Sequence, residues 1–156
     1  MPTIEPLYAT LTNRDLDEFE KATGLSLPAL YREFLKKNNG GESDADVFDV
    51  PDGWGTTVVN RFFGIQQGAM YDLFKDWRRM KRRIPSHLLA IAEDPAGNRI
   101  IMETSGANAG KIYLWDHERQ PPDEERTENP DDYPNIHPVA ANLDAFLKIL
   151  RTDDGE

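Results

Sequence analysis

The sequence contains no cysteine. Disulfides, thiolate metal sites and a cysteine nucleophile are therefore excluded. It has 3 histidines, His87, His117 and His137. No two of them have the close spacing of a helical or hairpin ligand pair, so no metal site is expected. No apolar run approaches the roughly 20 residues needed to cross a bilayer. The opening Met-Pro-Thr-Ile-Glu lacks the basic-then-apolar pattern of a signal peptide. A soluble, cytoplasmic protein without membrane partners is the expectation. Catalytic signatures are missing too. There is no Gly-x-Ser-x-Gly nucleophile elbow, and Gly106-Ala107-Asn108-Ala109-Gly110 lacks the lysine-serine end of a phosphate loop. Glu93 and Asp94 end one expected strand and Asp116 and Glu118 another, so a glycosidase-type carboxylate pair could arise across the sheet. In a chain with 28 acids, such pairs arise by chance. Neither an enzyme nor a cofactor is expected.

What is present is a chain of 156 residues, 38% hydrophobic and 29% charged, with 7 Phe, 5 Tyr and 3 Trp to anchor a core. That length suits a single domain spanning 1–156. Acidic residues outnumber basic ones 28 to 18, giving a net charge of -10. The excess sits in two segments. One holds Glu42, Asp44, Asp46, Asp49 and Asp52; the other holds Asp116, Glu118, Asp123, Glu124, Glu125, Glu128, Asp131 and Asp132 against Arg119 and Arg126. Taking those 13 from the 28 acids leaves 15, against 16 of the 18 bases, so the remainder is near neutral. Solvated acidic loops keep a protein soluble, and they also attract basic partners. Between them, Lys75, Arg78, Arg79, Lys81, Arg82 and Arg83 cluster within nine residues. With the overall acidity and no reader motif, this is read as the solvated side of a helix and not as a nucleic-acid site.

Thr12 and Asp15 form a capping pattern ahead of Leu16, Phe19 and Ala22, with Gly24 as terminator, which predicts a helix over 13–23. Pro28 precedes Leu30, Tyr31, Phe34 and Leu35 on one face, and Asn38-Asn39-Gly40-Gly41 stops that second helix. Two short strands are expected near 46–50 and 57–65 around a Pro51–Gly55 turn. A third helix is expected over 70–83, with Met70, Leu73, Phe74, Trp77, Met80 and Ile84 as its apolar stripe and Pro85 as its stop. Leu88–Ala92, Arg99–Glu103 and Lys111–Trp115 then form a three-stranded antiparallel meander, the first turn being Asp94-Pro95-Ala96-Gly97. Residues 118–135 carry four prolines and many acids, and read as a long irregular insertion loop of the functional kind. Asn142 caps a last helix containing Leu143, Phe146, Leu147 and Leu150. The tail from Thr152 to Glu156 is expected to fray. The fold class is α+β: a central, mostly antiparallel sheet with flanking helices, placed on one of its faces. Trp54, between Gly53 and Gly55 on an acidic loop, is either a core plug or an exposed anchor.

These landmarks in order resemble the SUKH superfamily, which includes yeast cell-wall assembly regulators and bacterial toxin-immunity proteins. The resemblance runs from Phe19-Glu20 and Gly24-Leu25-Ser26-Leu27-Pro28 through Tyr31, Phe34-Leu35 and Asn39-Gly40-Gly41. It continues with Ile84-Pro85, Leu88–Ala92, Asp94, Gly97-Asn98, Gly110, Ile112-Tyr113 and Trp115-Asp116-His117, and closes at Ala140–Leu147. It covers about 13–150, while 42–60 and 118–135 match no family pattern. The resemblance implies a non-catalytic scaffold that neutralises a cognate toxin, often a nuclease, with specificity in its variable loops. The contacts would come from Glu42, Asp44, Asp46, Asp49, Asp116, Glu118, Asp123, Glu124, Glu125, Asp131 and Asp132, with Trp54 as apolar anchor. The partner would be a protein with a basic surface. A regulatory scaffold without a toxin is the other function this fold allows.

Overall fold

The computed structural model describes residues 1–153. Helix α1 (Asn13–Thr23) begins at a closed capping box, in which Asp15 N donates to Thr12 Oγ1 and Thr12 N donates to Asp15 Oδ2, and ends at left-handed Gly24. Helix α2 (Ala29–Lys37) buries Tyr31, Phe34 and Leu35. Leu30, placed on the same stripe by its spacing, is instead 48% exposed. It turns away from the core onto the rim of an open groove shared with helix α4 (Leu143–Ile149). Arg32 of α2 ties the two first helices together through Glu20 (2.8 Å) and Asp17 (3.0 Å).

The main sheet has seven strands: β1 (Ile4–Pro6), β2 (Gly41–Ser43), β5 (Arg61–Phe62), β6 (Leu88–Glu93), β7 (Arg99–Glu103), β8 (Ile112–Trp115) and β9 (Ile136–Ala140), in that spatial order. All its ladders are antiparallel. The meander is its centre, as the sequence pattern predicts, but four further strands extend it. β1, β2 and β5 are two or three residues long, too short for a periodic signal. β9 carries Pro138, which an edge strand tolerates because one of its sides needs no donor.

The expected strand over 57–65 is two strands in two sheets. β3 (Val47–Val50) and β4 (Gly55–Val58) form a separate hairpin. The chain then switches sheets within one step: Val59 N donates to Asp46 O (2.8 Å) and Asn60 N to Glu93 O (2.8 Å). Helix α3 (Leu73–Met80) is shorter than its apolar stripe. Asp72 caps it, accepting from Lys75 N (3.2 Å) and from Gln66 N (3.1 Å), so Met70 lies before the helix and is 76% exposed.

Register decides the layers. Arg61, Glu93, Arg99, Trp115 and Ile136 form one cross-strand row, and Phe62, Ala92, Ile100, Leu114 and His137 form the next. Neighbouring rows face opposite sides of the sheet. Phe62 packs on Phe34 of α2 with ring centroids 5.2 Å apart, and His137 meets the hairpin turn. Phe48 of the hairpin meets Phe146 of α4 edge-on at 5.1 Å. Arg99, in the other row, reaches Asp76 of α3. So α2, α4 and the hairpin cover one face, while α3 covers the opposite one. The expectation that the helices share a single face is corrected accordingly. The reason is visible in β6, whose run Leu88–Ala92 is buried throughout. A strand without alternation is covered on both sides. Arg151 closes the chain onto the hairpin by a two-way backbone bridge with Val47 (both 2.9 Å). The predicted fraying falls partly on 154–156, outside the described residues.

Candidate functional site

Several of the landmark residues between strands serve one polar network where β6 and β8 end and β7 begins. Asp94 turns the β6–β7 hairpin by accepting from Ala96 N (3.0 Å), Asn98 N (2.8 Å) and Asn98 Nδ2 (2.8 Å). Asn98 Oδ1 in turn accepts from His117 N (3.1 Å), just past β8. Thr57 of β4 donates to Asp94 Oδ2 (2.9 Å), which brings the β3–β4 hairpin over this corner.

The hairpin tip locks there. Asp52 Oδ1 accepts from Trp54 N (3.1 Å), a local turn bond, and Asp52 Oδ2 lies 2.6 Å from His137 Nδ1 of β9. Trp54 is half-buried against the core, its ring tilted 6.4 Å from His137. Its Nε1 donates to Asp116 Oδ2 at 3.1 Å. Trp54 is thus neither a core plug nor a free anchor but a latch across the corner. The second acidic segment starts from that latch. Asp116 is buried, and its Oδ1 accepts from Glu118 N (2.9 Å) to open a 3-10 turn at His117–Arg119. Burial opposes ionisation of Asp116. The hydrogen bonds from Trp54 and Glu118, with Arg119 and His117 nearby, outweigh it and hold its carboxyl below the usual range. Asp52 behaves alike: burial opposes, while His137 and the Trp54 amide lower it.

Loop 117–132 runs from this corner across the α3 face as three 3-10 turns, His117–Arg119, Asp123–Glu125 and Pro130–Asp132. It is anchored at several points. Gln120 Nε2 donates to Arg83 O (2.9 Å), and Arg126 Nη2 donates to Lys81 O (2.9 Å) and Ile84 O (3.0 Å). Glu128 Oε2 accepts from Ser86 N (2.6 Å) and Ser86 Oγ (3.0 Å). Buried Tyr133 and Asn135 seat the returning chain, Asn135 Nδ2 donating to Asp116 O (3.0 Å) and Gln120 Oε1 (3.1 Å).

The candidate carboxylates separate into two groups. Those of 42–49 are largely engaged. Glu42 pairs with Arg61 (3.3 Å), Asp44 Oδ1 accepts from Thr3 N (2.9 Å), and Asp49 pairs with both Arg151 nitrogens (3.1 Å each) and with Thr56 Oγ1. Thr56 and Arg151 lower the Asp49 carboxyl, whereas burial, with Asp153 and Glu42 adding to it, raises that of Asp46. In the loop, Glu118, Asp123, Glu124, Glu125 and Asp131 are exposed. Among the described residues none of the five side chains has a hydrogen bond or ion pair. Asp132, also exposed, accepts from Thr127 Oγ1 (2.9 Å). Asp116 and Trp54 meet; the 42–49 carboxylates do not join them.

Sequence reasoning missed the residues that hold this arrangement: Asp52 and His137, Gln120 and Asn135, and Glu128. Their partners lie 15 to 85 residues away, beyond any local pattern. A second titratable cluster, His87–Glu103–Tyr113, lies under the same loop. His87 Nε2 is 3.1 Å from Glu103 Oε2, and Tyr113 Oη donates to Glu103 Oε1. Burial, then the bond to Glu103 and its charge, push the Tyr113 phenol up, so it stays a donor. Among the described residues no helix is long and apolar enough to cross a membrane.

Residues 10–149 match the family model described as SMI1 / KNR4 family (SUKH-1). A SPbeta prophage-derived uncharacterized protein of Bacillus subtilis (strain 168), YokK, is 32% identical over 131 residues, which is 73% of this chain and 66% of that protein. The chain therefore spans slightly less than two thirds of that relative's length.

Proposed function

Because the chain belongs to the SMI1 / KNR4 family (SUKH-1), we propose that it is a non-catalytic immunity protein that binds and neutralises a cognate toxin in the cytoplasm. The observation that carries this reading is loop 117–132. It is fixed by five anchoring bonds to residues 81–86, just after α3, yet it leaves Glu118, Asp123, Glu124, Glu125 and Asp131 unpaired on the surface. A rigid, preorganised element loses little entropy on docking. Its unspent carboxylates suit a toxin domain with a basic surface, such as a nuclease presents to phosphates. The 42–49 carboxylates add to the long-range field that attracts such a partner. Trp54 and Asp116 position the loop.

The experiment starts with the DNA flanking the gene. A neighbouring open reading frame ending in a short basic domain is the expected finding, and co-expressing that domain with this chain should keep cells alive. Association should slow by about tenfold between low and physiological salt, as steered encounters do. A gene neighbourhood without a toxin, or a co-expressed domain that kills equally with and without this chain, overturns the reading in favour of a regulatory scaffold.

A further inference from the structure

We infer that α3 and loop 117–132 form one bipolar docking face, whose protein partner presents acidic residues to α3 beside the basic residues it presents to the loop. The inference rests on the proposed binding function and specifies the partner's chemistry. Lys75, Arg78, Arg79, Lys81, Arg82 and Arg83 are all exposed, and Lys75, Arg78 and Arg79 line a common recess. Among the described residues none of the six forms an ion pair. Like charges three and four apart on a helix repel one another, so the cluster is a cost that the isolated chain leaves uncompensated.

Compensation lies close by and is not used. The loop carrying Glu118, Asp123, Glu124 and Glu125 is bonded directly to the carbonyls of Lys81, Arg83 and Ile84. Yet its carboxylates and the α3 cations stay apart. Two of the cations lie over aromatic rings instead, Lys81 Nζ 5.0 Å from the Trp77 centroid and Arg78 Cζ 5.9 Å from that of Phe74. Those rings, themselves 5.6 Å apart, give the face an apolar floor. Arginine over aromatic ground is characteristic of binding hot spots. The adjoining carboxylates also select among anionic partners. A phosphate backbone laid along α3 would run into the loop's negative field, whereas a folded protein can match both signs side by side.

The test measures affinity for the basic domain encoded beside the gene, using Arg78→Glu/Arg79→Glu, the milder Arg78→Gln/Arg79→Gln, and Glu124→Lys/Glu125→Lys. Each pair should weaken binding by about tenfold or more at physiological salt, with the Gln pair unfolding in urea as the parent does. A single-stranded RNA of about 20 nucleotides, followed by fluorescence anisotropy, should not bind. If both Arg78/Arg79 variants bind the domain as the parent does, the α3 half of the face is overturned while the immunity reading stands. RNA binding that the Arg78/Arg79 variants abolish overturns it in favour of a polyanion surface. A parent chain that binds no such domain overturns the immunity reading, and the face with it.

Discussion

Trp54 Nε1 and Asp116 Oδ2 meet at 3.1 Å across 62 residues of chain, and that one bond joins the tip of the β3–β4 hairpin to the start of the acidic loop. It makes the hairpin part of the apparatus that holds the loop, although the hairpin is a sheet of its own and the loop leaves from β8 of the main sheet. Asp116 has both oxygens in use, one on Trp54 and one on the Glu118 amide.

Trp54→Phe should therefore cost about 1–2 kcal/mol, the scale of a charged hydrogen bond whose acceptor stays buried. Asp116→Asn, which supplies one oxygen where two are used, should cost a similar amount. In a double-mutant cycle read by urea unfolding, the pair should couple by about 1 kcal/mol. Strictly additive effects would show that the contact is incidental.

The same carboxylates set an acid limit on the fold. The folded-state carboxyls of Asp116, Asp52 and Glu128 all lie below their ordinary values. A group with a depressed folded pKa adds stability that is present above the unfolded value and lost as pH falls through the folded one. Stability should thus decline from about pH 4 downward, and Asp116→Asn should flatten that decline. Asp46 carries the opposite sign, because burial and nearby Asp153 and Glu42 raise it. Asp46→Asn should leave stability at pH 7 unchanged or raised by about 0.5 kcal/mol. Urea midpoints from pH 2.5 to 7 check both, and a larger loss at pH 7 from Asp46→Asn than from Asp116→Asn would contradict the assignment.

Much of this was legible in the chain and some was not. Helix ends with a chemical signature, such as the Thr12–Asp15 box, Gly24 and the Asn142 cap, could be read directly because their bonds are local; Pro85 could not, since the third helix ends at Met80, ahead of it. The meander was readable because each strand is apolar and its first turn carries Pro and Gly. The sheet switch at Val59–Asn60 was not, since Asn60-Arg61 supplies neither Gly nor Pro to separate Thr56–Val59 from Phe62-Phe63. The two acidic segments were found by counting charge. Counting could not show that Arg61, Thr3 and Arg151 engage the first while the second stays free, because those partners come from remote strands. Trp54 stayed open between two roles, and the structure gives it a third.

Asp76 and Arg99 join α3 to the sheet through Nε and Nη2 contacts of 3.0–3.2 Å, both side chains being largely buried. Arg99→Met leaves the Asp76 charge buried alone and should cost about 3–5 kcal/mol. Adding Asp76→Leu should recover most of it, because an apolar pair replaces a buried ionic one at little net cost. Thermal unfolding of the parent and these two variants decides it. A double variant less stable than Arg99→Met alone would mean that Asp76 does something besides neutralise Arg99.

Gly64 sits where β5 leaves the sheet and backbone meets backbone. An added Cβ would lie 2.5 Å from Asn39 Oδ1 and 2.6 Å from Gly40 N. Asn39 cannot retreat, since it holds Ala9 O (2.7 Å), Ile65 O (3.1 Å) and Ile65 N (2.6 Å) at once. Gly64→Ala should cost about 2–3 kcal/mol by overpacking alone. Wild-type stability in that variant would show that this junction is looser than its contacts imply.

Glu128 gives the sharpest separation of docking from anchoring. It is not among the free carboxylates of loop 117–132, because one of its oxygens accepts from Ser86 N and Oγ and so pins the loop to the turn before β6. Glu128→Ala removes one charge of the acidic segment, as Glu124→Ala does, but it also cuts the tether. If the loop binds because it is preorganised, Glu128→Ala should speed hydrogen exchange across 123–132, cost about 1 kcal/mol of stability, and weaken toxin-domain binding mainly by raising the dissociation rate. Glu124→Ala should leave exchange and stability untouched and act mainly on the association rate. The two variants have equal net charge, so an identical kinetic signature would mean that charge alone matters, and that the anchoring of this loop has no part in how it docks.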